Sequence, residues 1–178
     1  GVLFFKFAED SLGKGVDNNL QEKIFYTIDC DNAQQHFIKI KVQFPVDKNK
    51  TIIHLPSWRP GRYELGNFAK NIKGLRAFND KNERLALRKT RKDTWKVDCE
   101  ASAYVRVEYS YYAAELNAGS SYLDEQQLYI NPVNCFLYPQ ATENLGFEIQ
   151  LHLPAHWEIA SGLHFQDNKT VVANFDQL

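Results

Sequence analysis

The dominant period along this chain is two. In Ile38-Lys39-Ile40-Lys41-Val42-Gln43-Phe44 every second side chain is apolar, and Pro45 ends the run. That alternation describes a strand with one face buried and one wet. Residues 104–112 repeat it: Val105, Val107, Tyr109 and Tyr111 share one face, with Arg106, Glu108 and Ser110 on the other. Phe147-Glu148-Ile149-Gln150-Leu151-His152-Leu153 does so a third time and stops at Pro154. Shorter runs predict strands over 24–29, 51–55, 84–91, 94–98, 127–130 and 170–175. Turn-forming clusters separate them, among them Asp47-Lys48-Asn49, Asn79-Asp80-Lys81-Asn82, Arg91-Lys92-Asp93 and Gln166-Asp167-Asn168. Helical spacing is confined to Phe68, Ile72 and Leu75, at i, i+4 and i+7. It predicts about two turns over residues 67–73, with Gly74 as the stop. The fold class is therefore all-β and mainly antiparallel: a sandwich or saddle-like curved sheets with at most one or two short helices.

At 178 residues the chain is the length of one domain, and large enough for a proper core. With 44% hydrophobic and 24% charged residues it is not a disordered chain. Twenty-one Lys and Arg stand against 22 Asp and Glu, so no global field draws in nucleic acid or an acidic membrane. No window approaches the roughly 18 apolar residues of a membrane span. The apolar start, Gly1-Val2-Leu3-Phe4-Phe5-Lys6-Phe7, lacks the basic flank and cleavage site of a signal peptide. It reads as a strand or as the remnant of a longer segment. Residues 1–22 are taken as an N-terminal extension and 23–178 as the β-rich domain. Three cysteines at unrelated spacings (Cys30, Cys99, Cys135) suit neither a disulfide framework nor a zinc knuckle. The odd count leans toward a cytoplasmic rather than a periplasmic setting. The chain carries no Met, which suggests a processed chain or a piece of a larger one.

Catalytic motifs are missing from the pattern. His152 and His156 are four apart, but Pro154 lies between them and no Glu follows His152, so they do not form the helical zinc pair. There is no Gly-x-Ser-x-Gly elbow and no phosphate loop. Cys135, in Asn134-Cys135-Phe136-Leu137, has the apolar setting of an inert thiol. The basic run from Arg84 to Lys96 has one aromatic, Trp95, and reads as a solvated, Lys/Arg-protected edge hairpin. Asn49-Lys50-Thr51 and Asn168-Lys169-Thr170 fit the glycosylation pattern and mainly mark exposed turns. Two stretches stand out. Leu55-Pro56-Ser57-Trp58-Arg59-Pro60-Gly61-Arg62-Tyr63 pairs a strong turn dipeptide with an aromatic and two guanidinium groups. Residues 115–125 carry Gly119, Tyr122, Asp124 and Glu125, a carboxylate and phenol loop that suits a binding edge or a packed connection.

These stretches, in order with Phe68-Ala69-Lys70-Asn71-Ile72, Lys92-Asp93-Thr94-Trp95, residues 107–113 and Leu153-Pro154-Ala155-His156-Trp157, resemble the N-terminal domain of the glycyl aminopeptidase family. The resemblance spans roughly residues 24–178. Its sharpest part is Trp-x-Pro-Gly-x-Tyr followed by Phe-Ala-x-Asn-Ile; Arg59 and Arg62 stand where relatives often carry Thr and Ser. Members of that family are zinc metallopeptidases with a β-rich first domain, a thermolysin-like catalytic domain and a PDZ domain. The resemblance implies a noncatalytic domain, incomplete at its C-terminal end, whose partners are the catalytic domain of the same polypeptide and a peptide substrate. It implies zinc in that other domain and no metal or catalytic residue in this chain. By the same resemblance Tyr122, Asp124 and Glu125 contribute to substrate binding, and Trp58, Arg59, Arg62 and Tyr63 to the domain interface. The alternative is a free-standing β-sandwich module for carbohydrate or peptide, for which the tyrosine-rich segment and the tryptophans speak.

Overall fold

The computed structural model describes residues 2–5, 23–30, 33–55, 68–114, 121–123, 127–130, 135–140, 145–155, 157–161 and 163–172. In chain order its strands are β1 (Val2–Phe5), β2 (Ile24–Asp29), β3 (Phe37–Pro45), β4 (Lys50–His54), β5 (Ile72–Asn79), β6 (Arg84–Leu85), β7 (Leu87–Arg91) and β8 (Thr94–Asp98). They continue with β9 (Tyr104–Tyr112), β10 (Tyr122–Leu123), β11 (Gln127–Ile130), β12 (Tyr138–Pro139), β13 (Phe147–His152), β14 (Glu158–Ser161) and β15 (Lys169–Val172). The domain is all-β. A seven-stranded sheet runs β15-β13-β2-β3-β9-β5-β6, and two four-stranded sheets run β12-β4-β8-β7 and β10-β11-β1-β14. Pairing is antiparallel except for β13 with β2 and for β1 with both β11 and β14.

The period-two pattern decides which face is buried. In β3 and β9 the apolar set Ile38, Ile40, Val42, Phe44, Val105, Val107, Tyr109 and Tyr111 is at most 3% exposed. Each such side chain stabilises the fold by about 1.5–3 kcal/mol relative to leaving it in water. Tyr26 of β2 stacks on Phe136 with ring centroids 4.6 Å apart and meets Phe147 edge-on at 5.9 Å. The segment 135–137 belongs to no sheet, yet it is fully buried. Its backbone groups find partners in two tyrosines of the large sheet. Tyr26 donates its hydroxyl to the Leu137 carbonyl at 2.8 Å. The Tyr109 hydroxyl accepts from Leu137 N–H at 3.0 Å and donates to the Cys135 carbonyl.

The short helix expected over 67–73 is not formed. Residues Phe68–Asn71 make a single 3-10 turn, and β5 begins at Ile72. Gly74 does not cap a helix; it sits at φ +65° inside β5, where two residues oppose one of β9 between Lys73 and Arg76. This bulge explains the misleading spacing. A strand that gains one residue puts Ile72 and Leu75, three apart, against the same core. Residues 84–91, expected as one strand, form two. Arg84–Leu85 pair with β5 in the large sheet and Leu87–Arg91 pair with β8 in a small one, with the Ala86 carbonyl accepting from Asp98 N–H at 2.9 Å. The edge-hairpin reading of this basic run holds: β7 is a terminal strand, exposed from Arg88 to Arg91. The turn at Asn79 also forms as its composition predicts, its side-chain oxygen accepting from Lys81 and Glu83 N–H. Among the described residues no helix is long and apolar enough to cross a membrane.

Three thiols and the phenols of Tyr26, Tyr109 and Tyr111 are buried in this core. Burial pushes the Cys135 thiol from 9.0 up to about 12 and raises Tyr26 and Tyr109 well above 10.0. These acids keep their protons longer in the folded chain than in the unfolded one. Their stabilisation is thus complete below the unfolded values and is lost as pH rises through the folded ones. Thermal midpoints should hold steady up to pH 9.0 and fall between there and about 12, with the phenolate absorbance of Tyr26 and Tyr109 appearing only on unfolding. Tyr109→Phe should cost about 2–3 kcal/mol in urea unfolding, because it takes the acceptor from the buried Leu137 N–H and a donor from the buried Cys135 carbonyl.

Candidate functional site

The polar halves of the same alternating strands build the open face of the seven-stranded sheet. Strand register sets its rows. One row reads Gln150, Thr27, Lys41, Glu108, Arg76, and the next reads His152, Asp29, Lys39, Ser110, Lys73. A groove of about 530 Å³ lies across them, and Gly74 leaves its wall open because no atom lies within 4 Å of where a Cβ would stand. Glu108 is the centre of this surface. Its carboxylate, 15% exposed, faces Lys41 Nζ at 3.4 Å, Arg76 Nε at 3.5 Å and Arg106 Nε at 3.4 Å. Arg106 lies over the Phe78 ring at 4.7 Å and reaches the Asn82 side-chain oxygen, while its buried Nε makes no hydrogen bond. One carboxylate among three cations serves charge balance, and the surplus leaves the groove basic.

Beyond the Lys39 row the face turns aromatic. Phe37 and Tyr112 are register partners with rings 5.2 Å apart, and His36 meets Tyr112 edge-on at 6.5 Å. His36 takes φ 60°, an uncommon conformation for a residue with a side chain. From there it joins three segments. Its carbonyl accepts from Ala113 N–H at 2.8 Å, its Nδ1 bonds the Leu123 carbonyl, and Leu123 N–H donates to the Ala113 carbonyl at 2.9 Å. The short strand β10, which carries Tyr122, is thereby fixed to the end of β9 as well as to Tyr129 of β11.

Of the residues expected to bind substrate, Tyr122 is placed by its backbone in β10; Asp124 and Glu125 lie outside the described residues, as do Trp58, Arg59, Arg62 and Tyr63. His152 ends β13 on the open face, and His156 lies outside the described residues. No disulfide joins the cysteines, and all three are buried. Among the described residues no three His, Cys, Asp or Glu side chains converge as metal ligands. The charged groove and the His36 junction were not singled out from sequence. Their only signal was the polar half of the alternation, which reads as ordinary solvated strand surface.

These features define an all-β domain with a charged, open sheet face. The chain belongs to the peptidase M61 N-terminal domain family, whose family model matches residues 25–178. None of the curated proteins matches it. Among solved structures it is similar to an aminopeptidase N family protein from Idiomarina loihiensis, with 27% identity and a TM-score of 0.80 over 87% of this chain. The chain spans 28% of the length of that protein. A zinc metallopeptidase of the M1 class from Deinococcus radiodurans, solved with a Tyr-Ser-Ala substrate, matches at 9% identity and a TM-score of 0.36, over 86% of this chain and 37% of that one.

Removing the central carboxylate tests the charge balance. Glu108→Ala should lower stability by about 1 kcal/mol at low salt, since each pair is partly exposed and screened. The difference between variant and parent should shrink as ionic strength rises, read from denaturant midpoints.

Proposed function

We propose that this chain is the noncatalytic N-terminal domain of a zinc-dependent aminopeptidase, where it packs on the catalytic domain and walls one side of the substrate cleft. The observation that carries this reading is the match of residues 25–178 to the N-terminal domain of a peptidase family. The likeness to a protein named for aminopeptidase N, of which this chain spans 28%, supports it. Catalysis then belongs to the remainder of the polypeptide. A zinc ion there supplies an activated water for attack on the peptide bond.

In this reading the loop with Tyr122, Asp124 and Glu125 orients the substrate's free amine. A carboxylate suits that task because it pairs with an ammonium through short, charge-assisted hydrogen bonds. The His36 junction supports it, since Leu123, next to Asp124, is held through both its backbone groups. Trp58, Arg59, Arg62 and Tyr63 contribute to the interface with the catalytic domain.

One observation favours the carbohydrate-binding alternative. Among the described residues the exposed aromatics, Phe25, Tyr104 and Tyr112, lie on strand positions of the same open face. But Tyr104 and Tyr112 are eight residues apart on one strand, about 26 Å. That exceeds a single sugar-stacking platform, and the peptidase reading remains the better one.

The test is the native polypeptide. An open frame that continues past Leu178 into a domain with H-E-x-x-H, binding zinc and releasing N-terminal residues from peptides, is the expected result. A native chain that ends near Leu178 would overturn it. In the active full-length protein, Asp124→Asn should raise KM by about 10-fold, the worth of a charged hydrogen bond, with a smaller change in kcat.

A further inference from the structure

A second surface is independent of the peptidase reading. The outer face of the β12-β4-β8-β7 sheet carries Arg88 directly opposite Lys96, with Ile52 next in the row. Like charges directly opposite one another destabilise an antiparallel pair. Among the described residues no carboxylate lies within ion-pair distance of Arg88, Arg91 or Lys96, although Asp93 shares their groove. This groove has a volume of about 500 Å³. It contrasts with the large sheet, where Glu108 and Glu148 answer the cations around them. Lys89, the remaining cation of β7, is committed elsewhere, with its ammonium 5.3 Å from the Trp95 ring centre.

The same cations flank an open edge. β7 is the last strand of its sheet, and its residues from Arg88 onward are exposed. A strand edge presents unpaired N–H and C=O groups, and a basic edge repels a second copy of itself. A segment of opposite charge meets no such repulsion. It gains main-chain hydrogen bonds by joining the sheet, and its carboxylates on alternate positions fall on the outer face beside Arg88 and Lys96.

We propose that the β7 edge and the adjoining Arg88–Lys96 surface form a docking site for an extended acidic peptide, bound by strand addition. The uncompensated cation pair is the stability this surface gives up for recognition.

Fluorescence anisotropy of a labelled decapeptide of alternating Glu and Thr, titrated with the 178-residue chain, tests this. Binding should appear at low salt and weaken by at least about tenfold near 0.25 M salt. Arg88→Glu should weaken binding by at least about tenfold and leave the thermal midpoint equal or higher, because the new carboxylate stands opposite Lys96. Lys96→Glu should do the same, and Lys39→Glu, on the large sheet, should leave binding unchanged. The proposal is overturned if the wild-type chain does not bind the peptide or if neither substitution at Arg88 or Lys96 weakens it. Equal affinity for the matching Lys and Thr peptide would overturn it too, as would tighter binding of an oligothymidylate of the same charge, which would assign the surface to nucleic acid.

Discussion

Two tyrosine hydroxyls hold this domain's layers in register. Tyr26 and Tyr109 project from the inner face of the large sheet and satisfy the backbone of residues 135–137, a segment with no strand partner of its own. Without them the Leu137 N–H and carbonyl would lose these partners and the Cys135 carbonyl a donor, and a buried polar group left unsatisfied costs about 1–3 kcal/mol. Immediately afterwards the chain enters β12 and pairs with β4. The tyrosines therefore set where one small sheet begins relative to the large one. Phe136 packs between these anchors against the Tyr26 ring, so the apolar and polar parts of the contact fix the same geometry. Phenylalanine would supply the area but not the hydrogen bonds, which is why tyrosine suits a core position that must also serve a backbone.

That arrangement leaves two kinds of charged surface. On the large sheet the cations gather around Glu108 and a second carboxylate, Glu148, pairs with Lys169. On the small sheet the cations stand opposite each other with no carboxylate between them. Net charge hides this difference, because a chain with 21 basic and 22 acidic residues looks neutral however they are placed. Position within the register, not composition, separates a self-balanced face from one that gains by meeting another molecule.

The strong alternations at 38–44, 104–112 and 147–153 were legible because one face of each strand is buried and the other wet, so the side-chain pattern states the fold directly. Residues 67–79 were not, because a bulge at Gly74 converts the strand period into a helix-like spacing. Nor was the break at Ala86, where Arg84–Leu85 and Leu87–Arg91 divide between two sheets without a turn signal. The short strands β10 and β12 have two residues each and depend on partners far away in sequence, His36 for β10 and β4 for β12. Of the candidate site, the family-derived residues were readable as motifs, but the groove around Glu108 requires five strands to be set side by side. No local pattern carries that information.

The first strand has a consequence for how the chain is made. β1 lies between β11 and β14 and runs parallel to both, so its partners are residues 127–130 and 158–161. A ribosome releases residues 2–5 before residues 127–130 and 158–161, so this strand must wait for both partners to emerge before it can be flanked. The closure spans well over a hundred residues, yet loop entropy grows only with the logarithm of length, so the delay lies in synthesis and search rather than in final stability. Until then four apolar residues, Val2-Leu3-Phe4-Phe5, lack both of their strand partners. They form a natural point of engagement for a holding chaperone until that sheet closes around them.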